Sequence, residues 1–415
     1  MSAVPTLADL YRQEYGRLVA VLLHRFGLAE VTTAEDIAGD TFLRAAEVWG
    51  RKGLPPAPVP WLYRVAGQRA TDLLRRRATY RDKVAPALSG PSAAVEPPAL
   101  DFREHAVRDD QLRTIFVLCH PALPTDTQVA LCLRLLCGFS VAEIAHAFLA
   151  APAAITKRLS RGKAKLRTGD IRLDLPAPGR LPERLEAVLK TLYLLFNEGY
   201  FSSGGDRVLR RRLCREALRL ALLLVELPAA DTPPTNGLLA LMCYQSSRFD
   251  ARTDEAGNAI PYDRQDRNAW SRPLIERGHF YLGRTGHDHR RIPHRYVLEA
   301  AIAAQHTRQD ASETKWPLVL SLYNRLLAVH YTPVSALNRT YAYGRVHGPA
   351  AALREARKID LPEHAGYHLL LADLYRQLDE AQRQDYHYRR AAELSPSEAV
   401  RRAIIQQAFP LHSSL

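Results

Sequence analysis

A chain of 415 residues is longer than one hydrophobic core usually organises, so its length predicts two or three domains. Hydrophobic residues at 47% and charged residues at 24% exclude a wholly disordered chain. The five cysteines lack metal-ligand spacing, and their odd number argues against a disulfide framework. The formal net charge of +13 favours a polyanionic partner, because each Lys or Arg that neutralises a phosphate releases a counterion.

The sequence predicts neither export nor membrane insertion. Residues 1–9 have neither the basic nor the apolar region of a signal peptide. The longest apolar run, Leu218–Leu227, is interrupted by charges and is too short to span a bilayer. We therefore expect a cytoplasmic protein with no membrane partner.

The N-terminal part of the chain has the apolar spacing of three helices. They are predicted at Leu7–Phe26, Thr33–Trp49 and about Val59–Arg77, with the proline-rich loop Gly50–Pro60 before the third. Thr33 is predicted to cap the second helix, because its hydroxyl can accept from a first-turn backbone N–H. On that second helix one face is apolar and the opposite face is acidic. The apolar positions are Ile37, Phe42, Ala45 and Trp49, and the acidic positions are Asp36, Asp40 and Glu47.

The third predicted helix is basic and carries aromatic side chains at its start, Trp61 and Tyr63. From Arg51 to Lys83 the chain has nine basic residues and only two acids. Cations neutralise phosphates and ring faces stack on unpaired bases, so this pattern favours binding to single-stranded or melting DNA. An Arg-rich amphipathic helix without any ligand is the alternative.

A second helical unit is predicted after a linker. Residues 85–98 are rich in Pro, Ala and Ser and lack periodicity, which indicates a linker and a domain boundary. The second unit covers about Asp101–Arg167. Within it, Leu136–Ala145 has the pattern of the first helix of a helix-turn-helix, with Ser140 as the cap and Glu143 completing a capping box.

The second helix of this motif is predicted at Ala153–Leu166, after Pro152, which suits a first helical turn. Ile155 and Leu159 are predicted to face inward. The side chains predicted to be exposed are Thr156, Lys157, Arg158, Arg161, Lys163 and Lys165. A basic helix in this position is typical of one that lies in a major groove with its N-terminal half on base edges. A basic helix at the surface without a ligand is the alternative.

Beyond the breaker Leu175–Pro182 the chain is predicted to be helical, apart from a polar stretch around Ala251–Arg264. Its last part has a weak internal repeat at the spacing of tetratricopeptide hairpins, in which small residues let two helices pack closely. The repeat residues are Leu371, Ala372, Tyr375, Tyr388, Ala391 and Pro396, preceded by a degenerate copy at Leu337, Tyr341, Leu353 and Ala356. The pattern favours an array of helical hairpins.

Three of these segments resemble conserved parts of one protein family. AEDIAGDTFLRAAEVW, which begins at Ala34, resembles the second conserved region of RNA polymerase sigma factors. PWLYRVAGQRATDLLRRR, which begins at Pro60, is similar to their promoter −10 reading and melting segment, and the helix-turn-helix resembles the fourth region, which reads the −35 element. The order of the segments, without a complete third region, is typical of the extracytoplasmic-function class of the sigma-70 family.

The rest of the chain resembles the subgroup of that class with a tetratricopeptide-like C-terminal extension. This resemblance is carried by Leu192–Tyr200, Leu238–Met242, Gln265–Arg267 with Trp270, and Ala336–Arg339. It implies that the extension regulates the sigma activity or is required for it.

The resemblance implies an all-α fold in four parts. These are sigma region 2 at 1–85, a linker at 86–100, the region 4 helix-turn-helix at 101–170, and a TPR-like helical extension at 183–410. It also implies a sigma factor that binds core RNA polymerase and directs it to particular promoters by recognition, with no catalysis, cofactor or metal.

The implied binding residues lie on three helices. Those expected to bind polymerase are Asp36, Asp40 and Phe42. Those expected to read and open the −10 element are Trp61, Arg64, Arg69, Arg75 and Arg76. Those expected to engage the −35 element are Thr156, Lys157, Arg158 and Arg161.

The implied partners are the β′ clamp and β flap of core polymerase, promoter DNA, and an intramolecular or protein partner of the extension. The expected location is the cytoplasm, at the nucleoid while the protein is bound to polymerase. No partner in a membrane is expected.

Two other functions fit parts of the sequence. One is a helix-turn-helix regulator that binds duplex DNA without polymerase, although such a regulator needs neither the acidic face nor the Trp-Arg helix. The other is a helical-repeat scaffold whose basic N-terminal part is incidental. Three clusters resemble enzyme or metal sites loosely and are interpreted as a turn, a solvated loop and a helix start: Asn197–Asp206; His287, His289 and His294; and Asp263, Asp266 and Arg267.

Overall fold

The described parts of the chain are helices joined by turns and short loops. The computed structural model describes residues 6–84, 101–148, 150–169, 171–201, 207–252, 260, 262–286, 293–308 and 315–395, with 401 and 404. These ranges contain helices and no strand, so the predicted all-α fold is confirmed. The chain divides into two compact units, Met1–Leu195 and Phe196–Leu415.

The first unit is built from seven helices and the first part of an eighth, counted over the described residues. They are α1 (Leu7–Phe26), α2 (Val31–Lys52), α3 (Pro58–Val84), α4 (Glu104–Leu118), α5 (Thr125–Leu131), α6 (Val141–Ala147), α7 (Pro152–Thr168) and α8 (Leu181–Phe201). A π-helical turn, Cys132–Leu136, follows α5 directly.

The second unit contains the end of α8 and the helices that follow it. They are α9 (Arg207–Val225), α10 (Pro233–Ser246), α11 (Arg272–Gly283), α12 (Arg295–His306), α13 (Trp316–Val329), α14 (Pro333–His347), α15 (Pro349–Ala356), α16 (Ala365–Gln377) and α17 (Ala381–Glu393). Within the described ranges, no helix combines the length and apolar content that crossing a membrane requires.

Two helix starts test the capping predictions. α6 begins after Ser140, whose hydroxyl accepts from the Glu143 backbone N–H while the Glu143 carboxylate accepts from the Ser140 N–H, so the predicted capping box is confirmed. α2 begins earlier than predicted, at Val31. Thr33 therefore lies inside the helix and its hydroxyl donates to the Glu30 carboxylate at 2.6 Å. The prediction that Thr33 caps α2 is wrong, because a short 3-10 turn already leads into the helix.

The core of the first unit joins the N-terminal helices to those of the helix-turn-helix domain. α1 packs against α2, α4 and the π-helical turn. Leu18 and Leu22 of α1 and Ile115 of α4 are all fully buried. α1 approaches the π-helical turn closely at Gly16, where a Cβ would lie 2.5 Å from the carbonyl carbon of Leu136. The two domains predicted at the N-terminal end thus pack together in one unit.

The boundary between the units falls inside α8. The first part of this helix packs on the helix-turn-helix domain, where Arg184 donates to the Phe116 carbonyl and Thr191 donates to the Gln128 side chain at 2.6 Å. The second unit therefore begins further along the chain than the extension predicted to start at residue 183.

Successive helices of the second unit pack as neighbours along the chain. α16 and α17 form a hairpin in which Ala372 and Ala391 are fully buried where the helices meet. Leu337 of α14 and Leu371 of α16 share another core cluster. The predicted helical hairpins are confirmed at these residues, whereas the repeat position Pro396 lies outside the described residues.

The second unit is expected to lose stability in mild acid because of His306. The pKa of this residue is lowered to about 4, since burial removes water from the ring and Lys315 and Arg248 add positive charge nearby. An unfolded histidine titrates at about 6.5. Between about pH 6.5 and 4 the unfolded chain therefore binds a proton that the folded chain does not, which destabilises the fold by up to roughly 3 kcal/mol as pH falls through this window.

Urea unfolding at pH 7.5 and pH 5 measures this effect. In His306→Leu the difference between the two midpoints should shrink relative to the natural chain. An equal pH dependence in both proteins would contradict the assignment to His306.

Candidate nucleic-acid interface

The acidic face of α2 is exposed to solvent. Asp36 and Asp40, one turn apart, are both exposed, and Glu47 on the same face pairs with Arg44 at 3.1 Å. Asp40 forms an ion pair with Arg69 of α3. The structure therefore brings a residue predicted to bind polymerase into contact with one predicted to read the −10 element.

Phe42 has a different environment from the two aspartates. Its side chain is 6% exposed, and its ring lies edge-on to Tyr11 with 4.9 Å between ring centroids. Phe42 therefore holds α2 against α1 and is not available to a partner in this structure. Leu43, which was not predicted, is 65% exposed. It lies three residues after Asp40, so helical spacing places it on the acidic face, and this spacing was the available signal.

α3 presents part of its basic set to solvent. The exposed members are Arg64, Arg75 and Arg76. A shallow groove of about 590 Å³ runs along this face and is lined by Arg64, Gly67, Gln68, Thr71, Asp72 and Arg75. Trp61 is half-buried, with its ring 5.2 Å from that of Trp49. The predicted −10 residues thus divide into exposed arginines and two residues, Trp61 and Arg69, that contact neighbouring side chains.

α6 and α7 form the predicted helix-turn-helix. Ile144 of α6 and Ile155 of α7 are fully buried. Gly162 of α7 approaches α5 so closely that a Cβ would lie 2.6 Å from the methyl carbon of Thr127. These contacts fix α7 on the domain and determine which of its sides faces solvent.

The exposed side of α7 is basic and polar. Exposed residues on this side include Thr156, Lys157, Ser160, Arg161 and Lys165. No acidic residue lies between Pro152 and Thr168. A groove of about 530 Å³ separates this side from the start of α5 and is lined by Asp126, Lys157, Arg158, Arg161 and Lys165 among others. Such a face offers cations for phosphates and hydrogen-bonding groups for base edges.

Two basic residues of α7 differ from the others. Arg158 is half-buried, with its guanidinium 5.5 Å from the centroid of the Phe148 ring and 3.8 Å from the Asp126 carboxylate. Lys163 forms an ion pair with Glu35 of α2. The predictions that Arg158 and Lys163 are exposed are wrong, because Arg158 packs beside the Phe148 ring and Lys163 faces the N-terminal helices.

Glu35 is the centre of a cluster that sequence spacing did not reveal. Its side chain is 5% exposed and accepts a hydrogen bond from Arg134 Nε at 2.9 Å in addition to the Lys163 ion pair. Two cations thus surround one buried carboxylate, as burial of a charge requires. The three residues come from distant parts of the chain, and only the tertiary fold brings them together.

Two of the three clusters interpreted as structural have described residues at helix starts, whereas residues 197–201 of the cluster interpreted as a turn belong to α8. Asp266 accepts from the Asn268 backbone N–H at 2.9 Å, which is the predicted role at a helix start. The His294 side chain accepts from the first turn of α12. Over the described ranges, no three potential metal ligands lie close enough to share an ion. Outside the described residues lie His287, His289, 202–206 and the side chain of Asp263.

Comparison with protein families gives three matches. Residues 10–80 match sigma-70 region 2, residues 113–166 match sigma-70 region 4, and residues 184–286 match DUF6596, a family of unknown function. The first match contains the exposed faces of α2 and α3, and the second contains the exposed face of α7.

Two curated relatives extend these matches. The chain is 37% identical over 360 residues to an uncharacterized protein of Rhizobium meliloti (strain 1021). This match covers 84% of this chain and 82% of that protein. It is 30% identical over 186 residues to a probable RNA polymerase sigma factor, RfaY, of Xanthomonas campestris pv. campestris. That match covers 43% of this chain and 46% of that protein. No solved structure is significantly similar. The chain therefore belongs to the sigma-70 family of RNA polymerase sigma factors, as a non-catalytic transcription initiation factor with a helical C-terminal extension.

Proposed function

We propose that this sigma factor binds core RNA polymerase through the exposed face of α2 and directs it to promoters of particular sequence. The β′ clamp contacts Asp36, Asp40 and Leu43. An exposed leucine between acidic side chains offers both apolar area and negative charge, which together suit a basic helical partner. Phe42 supports this face from the core, so its contribution to binding is indirect.

On promoter DNA the two basic faces have different tasks. Arg64, Arg75 and Arg76 of α3 neutralise phosphates at the −10 element, and the Trp61 ring offers a stacking face to an unpaired base. α7 lies in the major groove of the −35 element, where Thr156, Lys157, Arg158 and Arg161 engage base edges and phosphates. The β flap holds this domain in the holoenzyme, which acts in the cytoplasm at the nucleoid.

One observation carries the proposal. Region 2 exposes an acidic face with Leu43 on α2 and a basic face on α3, while region 4 exposes a third, basic face on α7. A helix-turn-helix regulator that binds DNA alone uses only the last of these. The acidic face of α2 suits a protein partner rather than DNA, since like charge repels it from DNA.

Co-purification of the full chain with core polymerase, followed by run-off transcription on genomic DNA, tests the proposal. The expected result is a stable complex that transcribes from a limited set of promoters, which core enzyme alone does not use. Specific DNA binding by the chain together with no binding to core polymerase would contradict the proposal and support a polymerase-independent regulator.

We further propose that the extension modulates this activity, and truncation tests it. A chain that ends after Pro178 loses the Arg184 and Thr191 hydrogen bonds to the helix-turn-helix domain, whereas one that ends after Leu195 keeps them. At about 1 kcal/mol for each bond, the shorter chain should be the less stable one.

The chain that ends after Leu195 is the form to compare with the full chain. It should give a different run-off yield at equal polymerase concentration, because it keeps regions 2 and 4 but lacks the extension. A higher yield indicates an inhibitory extension and a lower yield a required one. Equal yields over a range of concentrations would contradict a modulating role.

A further inference from the structure

A pocket of about 430 Å³ lies between α11, α12 and α13 of the second unit. This volume is within the range that small organic ligands occupy in proteins. Each of the three helices contributes apolar side chains to it, among them Leu282, Val297, Leu298 and Leu322. None of the described residues that line it is acidic. The pocket therefore suits a ligand with an apolar body and no positive charge.

The two helices that form its walls are held in place by α10. Gly237 of α10 lies so close to α12 that a Cβ there would be 2.8 Å from the Val297 backbone nitrogen. Gly278 of α11 lies so close to α10 that a Cβ there would be 2.6 Å from the Tyr244 ring. Such dense packing leaves α11 and α12 little freedom to close on the space between them. The pocket is thus part of the folded second unit and does not depend on a ligand to open it.

Three polar side chains line the pocket, and two of them already bond within the protein. His279 Nδ1 lies 2.8 Å from the hydroxyl of Tyr244. The Thr285 hydroxyl donates to the Leu282 carbonyl at 2.7 Å. The third, Arg325 of α13, is exposed and forms no ion pair with any residue that the structure describes. Its guanidinium therefore offers a positive charge and several N–H donors beside an apolar surface.

We propose that this pocket binds a small organic acid with an apolar body, such as a medium-chain fatty acid. Arg325 pairs with the carboxylate, because a guanidinium presents parallel N–H donors that match the two carboxylate oxygens. The apolar chain removes Leu298 and Leu322 from water, and both of these residues also belong to a buried core cluster. The pocket lies outside the matches to sigma regions 2 and 4, so this binding goes beyond the proposed function.

Calorimetric titration of the full chain with sodium octanoate at pH 7.5 tests the site. Saturable binding of one octanoate for each chain is expected. Among straight-chain acids, affinity should rise by about 3- to 4-fold for each added methylene until the apolar part of the pocket is full. Octanol and octylammonium have the same chain without the carboxylate, so each should bind at least about 5-fold more weakly than octanoate.

Two variants divide the binding into its charged and apolar parts. Arg325→Gln should weaken octanoate by about 5- to 20-fold and leave octanol unchanged, because it removes charge-assisted hydrogen bonds that solvent partly screens. Ala301→Phe should weaken the acid and the alcohol alike, because Ala301 lines the pocket and the added ring would occupy its space. Arg272→Gln is the matched control, since Arg272 is an exposed arginine at the opposite end of α11, and it should bind octanoate like the natural chain.

Three results would overturn the proposal. One is the absence of saturable octanoate binding by the natural chain. Another is equal octanoate affinity in the natural chain and in Arg325→Gln, which is exposed and should fold even if Ala301→Phe does not. The third is a dimer in sedimentation equilibrium that Ala301→Phe dissociates, because a second copy of the chain would then fill the pocket. Neither polymerase nor promoter DNA is present in these measurements, so their failure would leave the proposed function intact.

Discussion

Replacing both Asp36 and Asp40 with Lys is expected to weaken binding to core polymerase about 1000-fold or more. The change reverses two charges on the exposed face of α2, and central charged contacts in an interface each contribute about 2 kcal/mol or more. The fold should persist, because both carboxylates are exposed and the surface ion pair between Asp40 and Arg69 contributes at most about 1 kcal/mol. Fluorescence anisotropy against core enzyme measures the affinity.

A matched variant separates this effect from a change in net charge. Asp174→Lys with Glu183→Lys adds the same charge at two exposed positions outside α2, and its affinity should stay close to that of the natural chain. Leu43→Ala should weaken binding as well, since the exposed leucine lies on the same face. An unchanged affinity in the folded double aspartate variant would remove α2 from the interface.

Features that depend on near neighbours in the chain were predictable. The Ser140 and Glu143 capping box needs only two residues three positions apart, and the structure has it where the sequence indicates. The acidic side of α2 follows from the spacing of Asp36 and Asp40, because residues four apart lie on one helix face. Helical period therefore revealed which side of α2 is acidic and which is apolar.

Features that depend on tertiary contacts were not predictable in the same way. Glu35 lies near a helix start, where an acidic side chain is usually exposed to water, yet its side chain is buried and pairs with two cations of region 4. The family resemblance assigned Phe42 to the polymerase contact, yet Phe42 lies in the core, on the apolar side that helical spacing indicates, while its neighbour Leu43 is exposed. Helical spacing shows which residues share one side of a helix, but not which neighbours that side contacts. For Lys163 of α7 the neighbour is Glu35, so this lysine forms an internal ion pair rather than a DNA contact.

Replacing Lys157 and Arg161 of α7 with Ala should weaken promoter binding by about 1–3 kcal/mol for each side chain that reads a base edge. Both side chains are exposed on the basic face, one turn apart, so one groove can accommodate both. A residue that contacts only phosphate should weaken all sequences evenly, and its removal should reduce the slope of log affinity against log salt by about 0.9. Selection of bound sequences by the holoenzyme at two salt concentrations distinguishes these contacts.

Lys190→Ala provides the control, because Lys190 is an exposed lysine of the first unit on α8 rather than α7. Its removal should leave both the preferred sequence and the salt dependence unchanged. If the α7 double variant behaved like Lys190→Ala, a different helix would have to occupy the groove.

Arg158 should also contribute to promoter binding, although its guanidinium contacts Phe148 and Asp126 in the free chain. Its contact with the Phe148 ring contributes about 0.5–1 kcal/mol, and its 3.8 Å approach to the Asp126 carboxylate contributes no more. A bidentate contact to a guanine contributes about 1–3 kcal/mol, so DNA competes successfully for this guanidinium. Asp126→Ala should therefore strengthen binding, and the gain should fall when Arg158 is also replaced, because part of it comes from releasing that arginine. Equal gains with and without Arg158 would show that Asp126 acts only by repelling phosphates, with no role in positioning Arg158.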